Sequence, residues 1–148
     1  MGQTSVDTMR GLPFFQHMDP SLVDRLAAMA REVGYEKDQI IFREDEASRQ
    51  FHVVLAGKVA LELATSTGRA RVLTVEEGQE LGWSFLVAGA GQHLRARALE
   101  RVRTLAFDGR ALSHACEQDA ELGRQLTKRL LQDATGRLES TLVRYHGG

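Results

Sequence analysis

The segment from Leu81 to Glu100, LGWSFLVAGAGQHLRARALE, combines residue types suited to binding an anion. Glycines occur at 82, 89 and 91, and the short apolar stretch after Gly82 is typical of a helix start. A helix N-terminus presents unpaired backbone N–H groups and a partial positive charge, which together favour phosphate. Arg95 and Arg97 follow on a predicted strand and could add charge-assisted hydrogen bonds. The segment therefore has the elements of a site for a phosphate-bearing ligand.

The composition is that of a globular chain with no strong preference for nucleic acid. Of the 148 residues, 43% are hydrophobic and 26% are charged, which is typical of a single globular domain. The formal net charge of −1 argues against direct DNA binding, because phosphate contacts require a basic surface. The single cysteine, Cys116, excludes an internal disulfide and favours a reducing, cytoplasmic location. No apolar run reaches the roughly 18 residues needed to span a bilayer, so we expect no membrane partner.

Residues 9–34 have the pattern of N-terminal helices. Asp19 is suited to cap a helix, and Pro20 is suited to its first position. Apolar residues then recur at helical spacing, at Leu22, Leu26, Met29 and Val33. Gly34 is suited to end the helix. We therefore predict helical structure that extends to Gly34.

Residues 35–107 change to the alternating pattern of short β-strands. Branched and alternating residues form six runs, at 39–42, 51–55, 58–64, 71–75, 94–100 and 102–107. Turn residues separate the runs, including Gly57 and the sequence Glu76-Glu77-Gly78. Many short strands with regular turns favour a sandwich or a rolled barrel over a parallel sheet.

Residues 108–146 return to a helical pattern, with a long helix predicted from about Ala120 to Tyr145. One apolar seam, suited to docking on the β-structure, consists of Leu122, Leu126 and Leu130. A second seam has the alternating spacing of a two-helix coiled coil and comprises Thr127, Leu131, Ala134, Leu138, Thr141 and Tyr145. We therefore expect a homodimer through residues 120–145. The alternative is that both seams form one wide stripe that faces the core.

The order of helices, β-roll and long C-terminal helix resembles the cyclic nucleotide-binding domain of the Crp/Fnr superfamily. Three stretches carry the resemblance: LPFFQHMDPSLVDRLAAMAREVGYEKDQIIFRE, then FHVVLAGKVAL, and then EEGQELGWSFL followed by RARALERVRTLAFDGRAL. The resemblance covers nearly the whole chain. It implies one mainly β domain over residues 1–148, a jelly-roll of the double-stranded β-helix type with N-terminal helices and a long C-terminal helix. It also implies a strand–Gly–strand hairpin around Gly57.

The resemblance identifies residues 82–97 with the family's phosphate-binding cassette, from which this sequence departs. In the family, a Gly-Glu-Leu segment opens the cassette, its glutamate holds the ribose 2′-hydroxyl, and an arginine farther on binds the phosphate. Gly82 matches the glycine, Trp83 takes the glutamate position, and Gln92 or His93 takes the arginine position. Arg97 matches an ordinary strand arginine of the family. Losing a charged partner from such a site costs on the order of a few kcal/mol, so tight cAMP or cGMP binding in the usual pose is not expected.

The candidate ligand-binding residues are Gly82, Trp83, Ser84, Phe85, Gln92, His93 and Arg95. The Trp83 indole could stack on a flat ligand, or it could fill the cavity that a nucleotide would otherwise occupy. Ser84 is suited to cap the short helix and could also contact a ligand. His93 could be a ligand contact or a polar residue at the rim of a strand. We expect no cofactor, apart from a nucleotide-like ligand whose identity the sequence leaves open.

The other polar residues give no catalytic pattern. The five histidines are isolated in sequence, and no G-x-S-x-G, P-loop or H-E-x-x-H motif occurs. We therefore expect a non-catalytic sensor or regulatory domain with an altered pocket that signals through its C-terminal dimer helix. One alternative is a true cAMP or cGMP receptor that binds through backbone N–H groups, Ser84 and Arg95. Another is a ligand-free interaction module whose pocket is closed by Trp83 and Phe85.

The resemblance also bears on DNA binding. Full-length regulators of the family carry a helix-turn-helix segment after the long helix, and this sequence stops at VRYHGG. We therefore expect either a stand-alone domain or a fragment of a longer protein. Without a recognition helix, direct DNA binding by this chain is not expected.

Overall fold

The computed structural model describes residues 6–44, 49–82 and 94–146, with side chains described as far as residue 140. By its internal contacts the chain forms two compact units, Met1–His114 and Ala115–Gly148. The N-terminal helices and the strands belong to the first unit, and most of the C-terminal helical region belongs to the second. That both units act as one domain over residues 1–148 stays a prediction. No helix of the described residues is long and apolar enough to cross a membrane.

The N-terminal helical region is shorter than the sequence pattern predicts. It consists of helix α1 (Val6–Arg10), a 3-10 turn (Pro13–Phe15) and helix α2 (Pro20–Ala27). Asp19 caps α2 as predicted, because its carboxylate accepts a hydrogen bond from the backbone N–H of Ser21 at 3.3 Å. The predicted extension of the helix to Gly34 is wrong, since Arg31–Tyr35 forms strand β1.

The sequence around Val33 fits two periodic patterns at once. Val33 is four residues from Met29, as in a helix, and two residues from Tyr35, as in a strand. Both Val33 and Tyr35 pack against the apolar core of the roll. β1 pairs antiparallel with the last strand, where Val33 lies opposite Thr104. Sheet pairing, which the local sequence does not reveal, therefore decides between the two patterns.

The remaining strands are β2 (Ile40–Phe42), β3 (Gln50–Ala56), β4 (Val59–Thr65), β5 (Gly68–Val75), β6 (Glu80–Leu81), β7 (Leu94–Ala98) and β8 (Val102–Asp108). The described strands form two four-stranded antiparallel sheets, in the orders β1-β8-β3-β6 and β2-β7-β4-β5. The predicted fold class is confirmed: a β-roll of the jelly-roll type with N-terminal helices and a long C-terminal helix.

Gly57 marks a corner between the two sheets. β3 before it pairs with β6 and β8, whereas β4 after it pairs with β5 and β7. The predicted hairpin around Gly57 is therefore wrong in its pairing, because the two strands belong to different sheets. Gly57 has a φ of +94°, and a Cβ at this position would clash with the carbonyl oxygen of Arg101. The corner therefore requires glycine.

Apolar side chains from both sheets fill the interior of the roll. They are Tyr35, Phe42, Val54, Val59, Leu61, Val75, Leu81, Ala96, Ala98 and Val102. Successive residues of β3 point to opposite faces of the sheet, so His52 and Val54 share one face while Phe51 and Val53 share the other. On that other face, the Phe51 ring centroid lies 5.9 Å from Phe107 and 5.8 Å from Phe14. Both faces of β3 are therefore buried.

Helix α4 (Ala120–His146) dominates the second unit and agrees with the helix predicted from about Ala120 to Tyr145. It follows helix α3 (Gly109–Gln118). Asp119 caps α4, since its Oδ1 accepts hydrogen bonds from the backbone N–H groups of Glu121 and Leu122 at 3.1 and 3.2 Å. A Cβ on Gly123 would lie 3.0 Å from the carbonyl oxygen of Cys116. This close approach between the end of α3 and the start of α4 accounts for a glycine inside the helix.

The two apolar seams of α4 differ in exposure. Leu122, Leu126 and Leu130 are buried, whereas Leu131 and Leu138 are 65% and 59% exposed. Each residue turns an α-helix by about 100°, so Leu131 lies about 140° around the axis from Leu126. The alternative of one wide buried stripe is therefore wrong for Leu131 and Leu138. The dimer that the second seam predicts stays a prediction.

Candidate functional site

Gly82 follows strand β6 at the start of the predicted ligand-binding segment. It is buried, and its φ of +83° lies in the left-handed region that favours glycine. The predicted site residues Trp83, Ser84, Phe85, Gln92 and His93 lie outside the described residues, so their roles stay predictions. The description resumes at β7, which contains Arg95.

Arg95 is bound by a carboxylate on the neighbouring strand. β4 and β7 pair so that Glu62 lies directly opposite Arg95. Arg95 donates hydrogen bonds from Nη2 and Nε to Oε1 of Glu62, at 2.7 and 3.1 Å. Arg97 donates from Nη2 and Nε to Oε2 of Glu62, at 2.9 and 3.1 Å. One carboxylate therefore binds both arginines that follow the predicted segment.

A second carboxylate completes this group, which we call the Glu62 cluster: Glu62, Arg95, Arg97 and Asp38. Oδ1 of Asp38 accepts a hydrogen bond from Nη1 of Arg97 at 2.8 Å. Asp38 lies in the turn between β1 and β2, and its backbone N–H donates to the carbonyl oxygen of Ala98 at 2.7 Å. The cluster therefore links β4 and β7 to this turn. Its two carboxylates balance the charge of its two guanidinium groups.

The Glu62 cluster lies on the sheet face that points away from the interior. Leu61 and Ala96 belong to the interior core, so the alternating neighbours Glu62, Arg95 and Arg97 point outward. The Glu62 side chain is nevertheless only 8% exposed. Burial raises the pKa of Glu62, but the hydrogen bonds from Arg97 and Arg95 outweigh burial and hold that pKa below its ordinary value. Glu62 is therefore ionised at neutral pH and competes with any anionic ligand for Arg95.

A second polar group, the pair of His52 and Thr104, lies inside the roll and is uncharged. His52 on β3 and Thr104 on β8 are both buried, and Nδ1 of His52 lies 3.0 Å from Oγ1 of Thr104. The rings of Tyr35 and Phe42 flank the imidazole, at centroid distances of 6.1 and 6.5 Å. Burial lowers the pKa of His52 to about 4, so the ring is uncharged at neutral pH. Nε2 of His52 has no hydrogen-bond partner within the described part of the chain.

Sequence reasoning missed Glu62, Asp38 and His52. A signal for Glu62 exists, because a single carboxylate occurs in the alternating run KVALELA and two alternating arginines occur in LRARA. That signal becomes a site only once β4 and β7 are known to be neighbours. His52 has no comparable signal, since nothing in FHVVL distinguishes an inward from an outward imidazole.

The other polar features of the described residues include a single thiol and a surface pocket. Among these residues, no group of three His, Cys, Asp or Glu side chains is placed to hold a metal ion. Burial, followed by the charge of Asp119, raises the pKa of the Cys116 thiol, which disfavours the reactive thiolate. A surface pocket of about 490 Å³ lies beside the Gly57 corner and is lined by Gly57, Lys58, Glu76, Glu77, Gln79 and Glu100. None of these six is a predicted ligand-binding residue.

A family model described as the cyclic nucleotide-binding domain matches residues 32–119. The matched range runs from β1 through β8 to the end of α3, so it contains both the Glu62 cluster and the His52–Thr104 pair. No curated protein matches the chain.

Three solved structures illustrate the similarity of the fold. A Geobacter metallireducens protein named for cyclic-nucleotide binding is 24% identical with a TM-score of 0.82, over 91% of this chain and 98% of that one. The N-terminal domain of a Streptomyces coelicolor transcriptional regulator is 23% identical with a TM-score of 0.68, over 93% and 95% of the two chains. The third is a triple mutant of the regulatory subunit of a Trypanosoma brucei cAMP-independent protein kinase A, bound to cAMP in its A site. It is 20% identical with a TM-score of 0.74, over 94% of this chain and 50% of that chain.

Proposed function

The chain belongs to the cyclic nucleotide-binding domain family, and on that premise we propose that it is a non-catalytic sensor or regulatory domain with an altered ligand cassette. In this proposal, the domain does not bind cAMP or cGMP tightly in the family's usual pose. The observation that carries the proposal is the Glu62 cluster, in which Arg95 and Arg97 are both bound to one carboxylate. Gln92 and His93, at the position expected for the phosphate arginine, have no guanidinium group to offer.

The energetics of the Glu62 cluster disfavour Arg95 as a phosphate ligand. A phosphate that bound Arg95 would displace a carboxylate that already makes two hydrogen bonds to it. Glu62 would then lose one of the two guanidinium groups that balance its charge while its side chain stays largely buried. An ionised group in that position is costly. The alternative of a true cAMP or cGMP receptor relies on backbone N–H groups, Ser84 and Arg95, so the cluster argues against the contribution of Arg95.

The name of one similar structure supports the idea that this fold can serve a regulatory protein that does not depend on cAMP. The Trypanosoma brucei regulatory subunit is described as belonging to a cAMP-independent protein kinase A. The form bound to cAMP carries three substitutions, one of which replaces threonine by arginine. By analogy, a chain with this fold can have a regulatory role that does not depend on cAMP.

The proposal includes a homodimer through residues 120–145, in the cytoplasm. Leu131 and Leu138 are seven residues apart, which is one heptad, and both are exposed in the single chain. A second copy of α4 would cover them in a coiled coil, with the small residue Ala134 between them on the same seam. Because the coiled-coil spacing repeats along the seam, we favour a second copy over an unrelated partner.

A thermal-unfolding screen with cAMP, cGMP, cyclic di-AMP and cyclic di-GMP tests the proposed function. A ligand present at 100 times its dissociation constant stabilises the folded chain by about 2.7 kcal/mol. We expect a shift with at least one of these nucleotides and none with micromolar cAMP or cGMP. A large shift with micromolar cAMP would establish the receptor alternative. No shift with any nucleotide would favour the ligand-free module closed by Trp83 and Phe85.

A further inference from the structure

Strand β5 is the longest of the strands that form the edges of the two described sheets. The edge strands β1, β6, β2 and β5 have five, two, three and eight residues. Native proteins commonly keep exposed edge strands short, because a long edge offers unpaired N–H and C=O groups to another chain. β5 is therefore the edge best suited to accept an added strand.

The outer edge of β5 has no backbone partner in the part of the chain that the structure describes. β5 pairs with β4 alone, from Thr65 opposite Gly68 to Val59 opposite Val75. No backbone hydrogen bond from a turn or loop of that part reaches residues 68–75. Antiparallel strands direct their backbone groups to alternate sides, so about half of the groups of β5 point away from β4. Because residues 68–72 are all exposed, these groups are accessible to another chain.

The side chains along this edge are basic. Residues 63–75 contain Arg69 and Arg71 and no aspartate or glutamate. Arg69 donates a hydrogen bond to Oε2 of Glu44 at 2.6 Å. Arg71 is exposed and forms no ion pair with any residue that the structure describes. The carboxylate opposite Arg71 in the ladder, Glu62, is already bound by the two arginines of the Glu62 cluster.

An exposed apolar side chain lies next to Arg71 on the same strand. Val72 is 46% exposed. The register between β4 and β5 passes from Leu73 to Arg71, so Val72 has no residue opposite it on β4. A strand added to β5 would therefore gain an apolar contact at Val72 as well as backbone hydrogen bonds.

We propose that the outer edge of β5 is a docking site for an extended segment of another protein that carries carboxylates on alternate residues. The segment adds a strand through backbone hydrogen bonds, and one of its carboxylates pairs with Arg71. A second copy of β5 is disfavoured, because a two-fold pairing centred on Ala70 sets Arg69 opposite Arg71, and opposed like charges destabilise a sheet. The proposal goes beyond the proposed function, since it does not depend on nucleotide binding.

Titration of the ¹⁵N-labelled full chain with a defined peptide tests this docking site. The probe is a capped seven-residue peptide in which glutamate alternates with valine and threonine, added to millimolar concentration in low-salt buffer. We expect changes in the amide NMR resonances that are largest at residues 68–72. A matched peptide with lysine in place of glutamate should bind about tenfold more weakly, because its charges repel the arginines of the edge.

Two substitutions at different sheet edges test the role of charge. Arg71→Gln should weaken binding of the glutamate peptide roughly threefold, as expected for the loss of an exposed ion pair. Arg31→Gln removes a charge of the same kind from the edge strand β1 and should leave binding unchanged. Both side chains are exposed, so neither substitution should affect folding.

Several outcomes would overturn the proposal. They are no resonance changes with millimolar glutamate peptide, equal binding of the two peptides, equal effects of the two substitutions, or the largest changes outside residues 68–72. Protection of the β5 amides that rises with protein concentration, without any peptide, would show that a second copy occupies the edge instead. None of these outcomes bears on the nucleotide screen, so the proposed function is tested separately.

Discussion

The Glu62 cluster of the roll and the exposed seam of helix α4 differ in whether their side chains find partners within the described chain. In the roll, Glu62 and Asp38 balance Arg95 and Arg97, and apolar residues from both sheets cover one another. Helix α4 buries one seam and leaves Leu131 and Leu138 exposed. An uncovered apolar face, unlike a cluster of paired charges, is typical of a protein interface. The proposed dimer contact therefore belongs to the unit that contains α4.

Breaking the Glu62 cluster should have the largest effect on the roll. Glu62→Ala leaves two guanidinium groups without their shared carboxylate, and breaking a buried ion pair costs about 3–5 kcal/mol. The Arg95 and Arg97 side chains are 18% and 26% exposed, so water screens part of this loss. We expect the free energy of unfolding to fall by about 3 kcal/mol, measured by urea denaturation.

The exposed pair of Glu36 and Arg101 is the matched control for this substitution. These side chains are 73% and 81% exposed, and ion pairs of this kind contribute little to stability. Glu36→Ala should therefore leave the free energy of unfolding nearly unchanged. Equal losses from the two substitutions would contradict a structural role for the Glu62 cluster.

Acid should destabilise the roll through His52. The folded pKa of about 4 is below the ordinary value of 6.5, so the unfolded chain takes up this proton more readily. The stabilisation from the neutral ring is complete above pH 6.5 and is lost as the pH falls from about 6.5 to about 4. It amounts to roughly 3 kcal/mol. Subtracting the pH profile of His52→Phe from that of the wild type removes the contribution of the carboxylates.

The exposed His17, replaced by Phe in parallel, is the control for this pH profile. His17→Phe should retain the acid sensitivity of the wild type, because His52 is still present. If His52→Phe has the same dependence on pH as the wild type, the buried neutral imidazole is not responsible for it.

A charge on the exposed seam of α4 should have a smaller effect, and it should act on assembly. Leu131→Asp places a carboxylate in the proposed dimer interface, so we expect the dimer dissociation constant to rise at least tenfold, about 1.4 kcal/mol. Gln132→Asp adds the same charge about 100° farther around the helix and should change the dimer dissociation constant little. Light scattering over a dilution series measures this constant for both variants. A wild-type chain that is monomeric at micromolar concentration would end the dimer proposal.

The sequence predicts what local periodicity determines, and little beyond it. The bounds of α4 and the cap at Asp19 follow from nearby residues, and the structure confirms both. β6 has two residues, too few to form a periodic pattern. Arg95 was identified as a candidate, but its partner Glu62 lies 33 residues away in sequence. That partnership depends on which strands are neighbours and in which register, so it required the fold.

The central claim is that the cassette lacks the groups for tight cAMP binding, and calorimetric titration with cAMP tests it most directly. The wild-type chain is compared with Trp83→Glu combined with Gln92→Arg, and with Trp83→Glu combined with His93→Arg. Each pair restores a partner for the ribose and a partner for the phosphate. We predict no tight binding by the wild type and a gain of at least tenfold in one of the double variants. Tight cAMP binding by the wild type, without improvement in either variant, would contradict the claim.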